Sequence, residues 1–445
     1  MTSTTSAPPS PGLRRAISGK LLFLFILGDV LGAGIYALVG KLAGQVGGAI
    51  WVPLLVALVL ALLTASSYAE LVTKYPKAGG AAVFAQRAFG RPIVSFLVGF
   101  SMLAAGVTSV AGLALAFSGD YLGALVDVPP LPAALVFLTL VALLNARGIK
   151  DSLRANVVMT VVEVGGLLLI VALAAVVLGR GDGSPGRVLE FSPDQSPVAG
   201  ILAAAVLAFY SFVGFETSAN VAEEAVDPAR TYPRALFGGL AVAGVVYVLV
   251  GLAVSTAVAP AQIAGSDGPL LEVVRVADVG LPGWVYSLVA LIAVANGALL
   301  TAIMCSRLTY GMATEGLLPP VLARVLPGRR TPWVAIVVTT LVSMALVVSG
   351  DLETLAATVV LLLLVVFIST NVAVLVLRRD AVEHRHFRAP TALPVLGVVA
   401  CVGLLTQQEA GVWLRAAILL AVGAVLFLLT RRASRATPQP AAPHR

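Results

Sequence analysis

The sequence predicts an all-α integral membrane protein with twelve transmembrane helices, on the basis of its composition and its hydropathy pattern. Of the 445 residues, 59% are hydrophobic and 11% are charged, whereas soluble domains carry about 25% charged residues. Apolar runs of about 20 residues, which is the length of a membrane-spanning helix, recur along the whole chain. The predicted spans are residues 19–40, 49–72, 92–118, 131–146, 153–179, 197–222, 234–258, 282–312, 333–349, 353–377, 391–406 and 412–430.

The placement of the basic residues predicts the orientation of these spans. With the N-terminus in the cytoplasm, 24 of the 29 Lys and Arg residues fall in cytoplasmic loops and tails. Cytoplasmic loops of membrane proteins are enriched in Lys and Arg, so we expect a bacterial cytoplasmic membrane protein with both termini inside. The net charge of +7 then reflects topology, and nucleic-acid binding is not expected. We predict a disordered cytoplasmic N-terminus at 1–18, one transmembrane domain at 19–430 and a basic cytoplasmic tail at 431–445.

Two spans carry glycine-centred interruptions beside an acidic residue. Residues 28–36 read GDVLGAGIY in the first span, and residues 212–216 read FVGFE in the sixth. An offset of five spans makes the second segment enter the membrane from the opposite side. Interrupted segments at matching positions of two inverted halves are typical of transporter binding sites. The sequence therefore predicts repeats at about 19–179 and 197–377, followed by two further helices at about 391–430.

An interrupted helix exposes backbone groups that can bind a ligand. Unwound backbone persists within a membrane only where it lines a cavity or is buried in protein. A half-helix N-terminus offers free amides to an anion, while a half-helix C-terminus offers carbonyl oxygens to a cation. Two antiparallel interruptions thus suit a zwitterion such as an α-amino acid.

Four segments carry a resemblance to a known family. They are GDVLGAGIYALVGKLAG at 28–44, SSYAELVTKYPKAGGAAVFAQRAFG at 66–90, FYSFVGFETSANVAEEAVDPARTYPRAL at 209–236 and RLTYGMATEGLLP at 307–319. Through them the chain resembles amino acid permeases of the amino acid–polyamine–organocation superfamily, over about residues 20 to 380. The resemblance implies a LeuT-type fold of two inverted five-helix repeats, transport by alternating access, and a monomer or dimer.

The resemblance also implies which residues bind the substrate. The amides of Gly32, Ala33 and Gly34 would bind its carboxylate. The carbonyls of Phe212, Val213 and Phe215 would surround its amino group, with Phe215 also serving as a side-chain gate. Further lining is expected from Ala33, Ile35 and Gly214.

The fifth span departs from the family pattern, because proton-coupled relatives place a lysine where this chain has Glu163. One hypothesis makes Glu163 a proton carrier, and another makes it a ligand for Na⁺, which prefers oxygen ligands. A third makes it a packing residue that pairs with a polar neighbour. The eighth span offers Asn296 but no adjacent Ser/Thr pair of the sodium-coupled kind, which favours protons.

Other acidic residues leave alternatives open. Glu216 either lowers the cost of a substrate ammonium or caps the second half-helix, since acids are favoured at helix N-termini. Asp29 is expected near the C-terminal end of the first half-helix, where a binding or coupling role is favoured. Glu70 is expected to form a gate or loop salt bridge beside Lys74.

These features predict a secondary active transporter that imports or exchanges an α-amino acid, with H⁺ as the expected coupling ion. No cofactor, metal or catalytic residue is expected, and the partners are the substrate and the lipid bilayer. The alternatives are a polyamine or organic-cation carrier and a Na⁺-coupled amino acid transporter. More distant alternatives are a transport-like receptor and an intramembrane enzyme.

Overall fold

The computed structural model describes residues 17–436, apart from 33, 77–79, 148–151, 195, 223–224, 267 and 327–330. Within that part of the chain the fold is helical and contains no β-strand. The helices are α1 (Gly19–Val30), α2 (Gly34–Val46), α3 (Trp51–Lys74), α4 (Gly80–Phe89), α5 (Pro92–Ser118), α6 (Asp120–Gly123), α7 (Pro130–Arg147), α8 (Ser152–Gly179), α9 (Pro197–Tyr210), α10 (Pro228–Ala257), α11 (Pro260–Ala264), α12 (Pro269–Ala277), α13 (Gly283–Thr314), α14 (Trp333–Ser349), α15 (Leu352–Leu377), α16 (Ala392–Leu405) and α17 (Ala410–Ala436).

Ten helical segments among the described residues are long and apolar enough to cross a membrane. The first combines α1 and α2, and the sixth combines α9 with the 3₁₀ helix that follows it. Two further apolar helices, α14 and α16, are shorter, with 17 and 14 residues. The chain is therefore an all-helical, multi-pass membrane protein.

Both interruptions predicted from the glycine patterns are present. Helix α1 ends at Val30 and α2 begins at Gly34. Helix α9 ends at Tyr210, and a 3₁₀ helix over Phe215–Asn220 follows the turn. Gly214 in that turn has a φ of 127°, a conformation that side-chain-bearing residues rarely adopt. Glycine is thus required where the sixth segment changes direction.

The interrupted helices lie at the centre of the helical packing. Helix α1 packs against α8 and α10, while α2 packs against α9. Helix α5 packs against α13 and α15 and closes one side of the centre. The two cysteines, Cys305 and Cys401, are buried and form no disulfide. This arrangement brings both interruptions to one internal cavity.

Candidate functional site

A cavity of about 50 Å³ lies between α1, α5, α9, α13 and α15. Both interruptions contribute to its wall. The lining residues are Asp29, Val30, Gly32, Gly34, Met102, Ala105, Gly106, Ser109, Leu113, Tyr210, Ser211, Val213, Gly214, Glu216, Thr217, Gly297, Thr301, Met304 and Leu363. Backbone of both interruptions, two carboxyl groups and several aliphatic side chains therefore face the same small space.

The two interruptions contact each other through glycine. A Cβ added to Gly34 would lie 2.6 Å from the Cα of Ser211. A Cβ added to Gly214 would lie 2.5 Å from the carbonyl oxygen of Asp29. Real Cβ atoms do not approach other atoms this closely, so both positions require glycine for the backbones to meet.

Tyr247 of α10 links the carbonyl groups at the two helix ends. Its hydroxyl lies 2.6 Å from the carbonyl oxygen of Val30 and 3.1 Å from that of Ser211. A phenol has one hydrogen to donate, so it serves one carbonyl at a time. Helix-end carbonyls lack intrahelical partners, and Tyr247 provides a buried donor that both can use.

The acidic residues of the interruptions bond across the turn. The hydroxyl of Thr217 lies within hydrogen-bond distance of the Asp29 carboxyl group and 2.8 Å from the carbonyl oxygen of Gly214, and its single hydrogen serves one of them at a time. The backbone N–H of Gly214 donates to Glu216 at 2.9 Å. Glu216 thus accepts a bond from a free amide of the turn and also lines the cavity, which accords with both hypotheses for it. Asp29 lies one residue before the end of α1, as the sequence predicts.

Glu163 lies behind α1, outside the cavity lining, in a buried polar cluster. The side-chain amide of Asn296 donates to Glu163 Oε1 at 3.2 Å and to Asn156 Oδ1 at 3.0 Å. Glu163 Oε2 is buried and has no hydrogen-bond partner among the described residues. Gly28 allows α1 to lie close against α8 at this point, since its added Cβ would clash with Thr160 of α8.

None of these three carboxyl groups has a basic partner in the described part of the chain. The two salt bridges found there join Arg275 to Glu272 and Arg378 to Glu70. Burying an unpaired charge is costly, so hydrogen bonds are the compensation that the described residues offer these carboxyl groups.

The predicted site residues divide into groups. The cavity is lined by Asp29, Gly32, Gly34, Val213, Gly214 and Glu216, while Ile35, Phe212 and Phe215 are buried behind it. The ring of Phe215 stacks on Phe367 at 5.4 Å and meets Tyr68 edge-on at 5.8 Å. Ala33 lies outside the described residues.

Sequence reasoning did not single out Thr217 or Tyr247. A hydroxyl-bearing residue in an apolar span is a weak signal, and the roles of these two depend on the distant groups they contact, the Asp29 carboxyl for Thr217 and the Val30 carbonyl for Tyr247.

Comparisons with known proteins agree with this architecture. A family model described as "Amino acid permease" matches residues 17–430. The branched-chain amino acid permease BcaP of Bacillus subtilis is 29% identical over 448 residues, covering 94% of each chain. The methylthioribose transporter of the same organism is 27% identical over 446 residues, covering 95% of each. The vacuolar cationic amino acid transporter 2 of Arabidopsis thaliana is 29% identical over 385 residues, covering 82% of this chain and 60% of the relative.

The fold and the site define a helical, multi-pass membrane protein with two interrupted helices around a buried cavity. The chain belongs to the amino acid permease family of the amino acid–polyamine–organocation superfamily. This family and the relatives named above are transporters rather than enzymes.

Proposed function

We propose that the protein is a secondary active transporter that imports or exchanges an α-amino acid across a bacterial cytoplasmic membrane by alternating access. The observation that carries this proposal is the meeting of two interrupted helices at one cavity, whose wall contains Asp29, Glu216 and unwound backbone. Backbone at Gly32 and Gly34 would bind the substrate carboxylate. Asp29, Glu216 and the carbonyl of Val213 would bind its ammonium group.

The proposed architecture has twelve spans, with α14 and α16 as the two short ones, and a LeuT-type pair of inverted five-helix repeats. Helices five spans apart pack against each other, α3 with α10 and α5 with α13, which supports the repeat. Both termini would lie in the cytoplasm, and residues 19–430 would form one transport domain. Cysteine labelling from either side of the membrane tests this orientation.

The cavity wall favours a neutral aliphatic substrate. Met102, Ala105, Leu113, Met304 and Leu363 supply apolar surface for a side chain, and burying such a side chain contributes roughly 1.5–3 kcal/mol. One bacterial relative is named for branched-chain amino acids. We therefore rank leucine, isoleucine and valine first.

Protons are the proposed coupling ion, with Glu163 as carrier and Asn296 as its positioning residue. Asn296 holds one carboxylate oxygen and leaves the other without a partner among the described residues. That free oxygen can take a proton without disturbing the Asn156–Asn296 bond. Asp29 lies on α1, which packs against α8, and also lines the cavity, so it would link the charge of Glu163 to the substrate. A Na⁺ bound by Glu163 is the competing form of the same proposal.

One observation favours a second candidate, an organic cation or polyamine. Asp29 and Glu216 place two carboxyl groups on one cavity with no basic side chain in its lining. A diamine or a cationic amino acid would compensate more of that charge than a zwitterion does.

Uptake by purified protein in liposomes tests these assignments. Labelled leucine, lysine, putrescine and methylthioribose would be offered under an inward H⁺ gradient, an inward Na⁺ gradient and no gradient, with exchange measured by counterflow. We expect saturable leucine uptake that the H⁺ gradient accelerates. Preference for putrescine would establish the second candidate. Binding without flux of any of these solutes would contradict transport.

A further inference from the structure

A second cavity, far from the first in sequence and composition, opens at the start of α10. Its volume is about 520 Å³, within the usual range of small-ligand sites. We call it the basic pocket, because its wall contains Arg230 and Arg234 of α10 together with Arg385 and His386 of the loop after α15. Ala229, Pro233, Phe237 and Phe387 complete the wall.

The charge of the basic pocket is one-sided. Arg230 and Arg234 are four residues apart and so lie on one face of α10. Arg385 reaches the pocket from the opposite wall, and all three arginines are exposed. No Asp or Glu is among its lining residues, and neither salt bridge of the described chain involves these arginines. Arginine forks bind phosphate and carboxylate groups through paired N–H bonds.

The loop that forms one wall of the basic pocket is held in place by contacts with Thr73 at the end of α3. The N–H of Phe387 donates to Thr73 Oγ1 at 3.0 Å, and the ring of His384 lies 3.2 Å from the carbonyl oxygen of Thr73. Beneath the arginines, the rings of Phe237 and Phe387 pack at 5.7 Å. A fixed loop and an aromatic floor form a preorganised site, which reduces the entropic cost of binding.

An apolar stripe continues from the basic pocket along the same helix. On the C-terminal side of Arg234, the exposed residues of α10 are Ala241, Val242, Val245 and Leu249, and their spacing places them on one face of the helix. The stretch from Arg234 to Leu249 is about 22 Å long at 1.5 Å per residue. A charged end beside a lipid-facing stripe matches a molecule with a phosphate head and acyl chains.

We propose that the basic pocket binds the phosphate group of an anionic phospholipid, with the acyl chains lying along the exposed stripe of α10. Basic pockets between membrane helices are known to bind anionic head groups. A soluble phosphate shares the head-group chemistry but would leave the apolar stripe unused. The proposal does not depend on which solute the protein transports.

Thermal unfolding of the purified full-length protein tests this site. Short-chain phosphatidylglycerol, short-chain phosphatidylcholine and inorganic phosphate would be added separately to the protein in detergent. We expect phosphatidylglycerol to raise the Tm by several degrees more than phosphatidylcholine does. The double variant Arg230→Gln/Arg234→Gln should lose this difference.

A charge-matched control is the double variant Arg324→Gln/Arg379→Gln, whose two arginines are exposed and lie outside the basic pocket; it should keep the full difference. The loop variant Arg385→Gln serves if the α10 variant does not fold, and should lose part of the difference. A shift produced equally by inorganic phosphate would assign the pocket to a soluble phosphate and overturn the lipid. An unchanged shift in both pocket variants would overturn the site itself.

Discussion

The hydroxyl of Tyr247 lies 2.6 Å from the carbonyl oxygen of Val30, at the C-terminal end of the first half-helix. It also lies 3.1 Å from the carbonyl of Ser211. One side chain from α10 thus serves both interruptions, and these interruptions line the proposed substrate cavity.

Tyr247→Phe should destabilise the protein and slow uptake several-fold. The change removes the hydroxyl donor and leaves two buried carbonyls, and an unsatisfied buried polar group costs about 1–3 kcal/mol. Thermal unfolding and initial uptake rates provide the measurements. Tyr286→Phe is the matched control, because that buried hydroxyl has no hydrogen-bond partner among the described residues. Equal effects of the two changes would contradict the linking role of Tyr247.

Gly34→Ala should abolish transport and lower stability. Its new Cβ would lie 2.6 Å from the backbone of Ser211, so the two interruptions would have to separate. Gly165→Ala is the control, because that helical glycine has open space around it and alanine favours a helix by about 1 kcal/mol. Uptake and Tm should be unchanged or slightly improved in the control. Normal uptake by Gly34→Ala would show that the contact is dispensable.

Glu163→Gln should uncouple transport from the H⁺ gradient while leaving substrate binding intact. The amide keeps the shape of the carboxyl and its place beside Asn296 but cannot exchange a proton. Gradient-driven uptake should fall to the rate seen without a gradient, while the Kd for leucine stays within about twofold of wild type, a change of less than 0.5 kcal/mol. Glu409→Gln, at an exposed position, is the control. Driven uptake that survives in Glu163→Gln would remove the residue from the coupling mechanism.

Glu70→Gln should be strongly destabilising. Glu70 and Arg378 form a two-bond pair at 3.0 and 2.8 Å, with only 2% and 12% of their side chains exposed. The hydrogen bonds that Arg378 donates to Glu70 raise the pKa of Arg378. Leaving one member of such a pair buried alone costs about 3–5 kcal/mol, measurable by denaturant titration.

The Glu272–Arg275 pair supplies the comparison, since the side chain of Arg275 is 58% exposed and the buried carboxylate of Glu272 keeps a hydrogen bond from Gln262 at 3.1 Å when Arg275 is replaced. Arg275→Gln should change the free energy of unfolding by less than about 1 kcal/mol. Similar losses for Glu70→Gln and Arg275→Gln would argue against the importance of burial.

Asp351→Ala should lower stability near neutral pH and have no effect in acid. Asp351 caps α15 by accepting bonds from the N–H and hydroxyl of Thr354 at 2.8 and 3.0 Å. Partial burial acts to raise the pKa of Asp351, but the Thr354 hydrogen bonds and the charge of Lys41 lower it below 3.8. A lowered pKa gives stability above pH 3.8 that is lost as pH falls through the folded value.

The expected loss for Asp351→Ala is about 1 kcal/mol at pH 7, seen as a Tm difference from wild type that closes below pH 3.8. Asp182→Ala, at an exposed position, should show no difference at either pH. A difference for Asp351→Ala that persists in acid would mean that the carboxylate is not its source.

The interruptions could be predicted because their cause is local. Glycines beside an acid within an apolar run are visible in a few residues, and the helix ends at Val30 and Tyr210 follow from them. The partners of the polar groups could not be predicted, since they depend on packing between distant helices. Thr217 bonds Asp29 across 188 positions.

Glu70 illustrates the same limit. The expectation of a salt bridge is confirmed, but its partner is Arg378, 308 positions away, rather than the neighbouring Lys74. Lys74 instead donates to the carbonyls of Leu377 and Asp380 at 2.6 and 2.5 Å. Lys74 thus serves carbonyls at and just beyond the end of α15 rather than the carboxylate of Glu70.

Residues 378–389 form the loop that supplies one wall of the basic pocket, and this loop is bonded to the end of α3. Glu70, Lys74 and Tyr75 all bond to this segment, and α10, which forms the other wall, packs along α3. The loop is therefore attached to α3 and should move with it. If α3 and α10 move apart during transport, then either the basic pocket widens or the hydrogen bonds between this loop and α3 break. The width of the basic pocket therefore depends on the separation of these two helices.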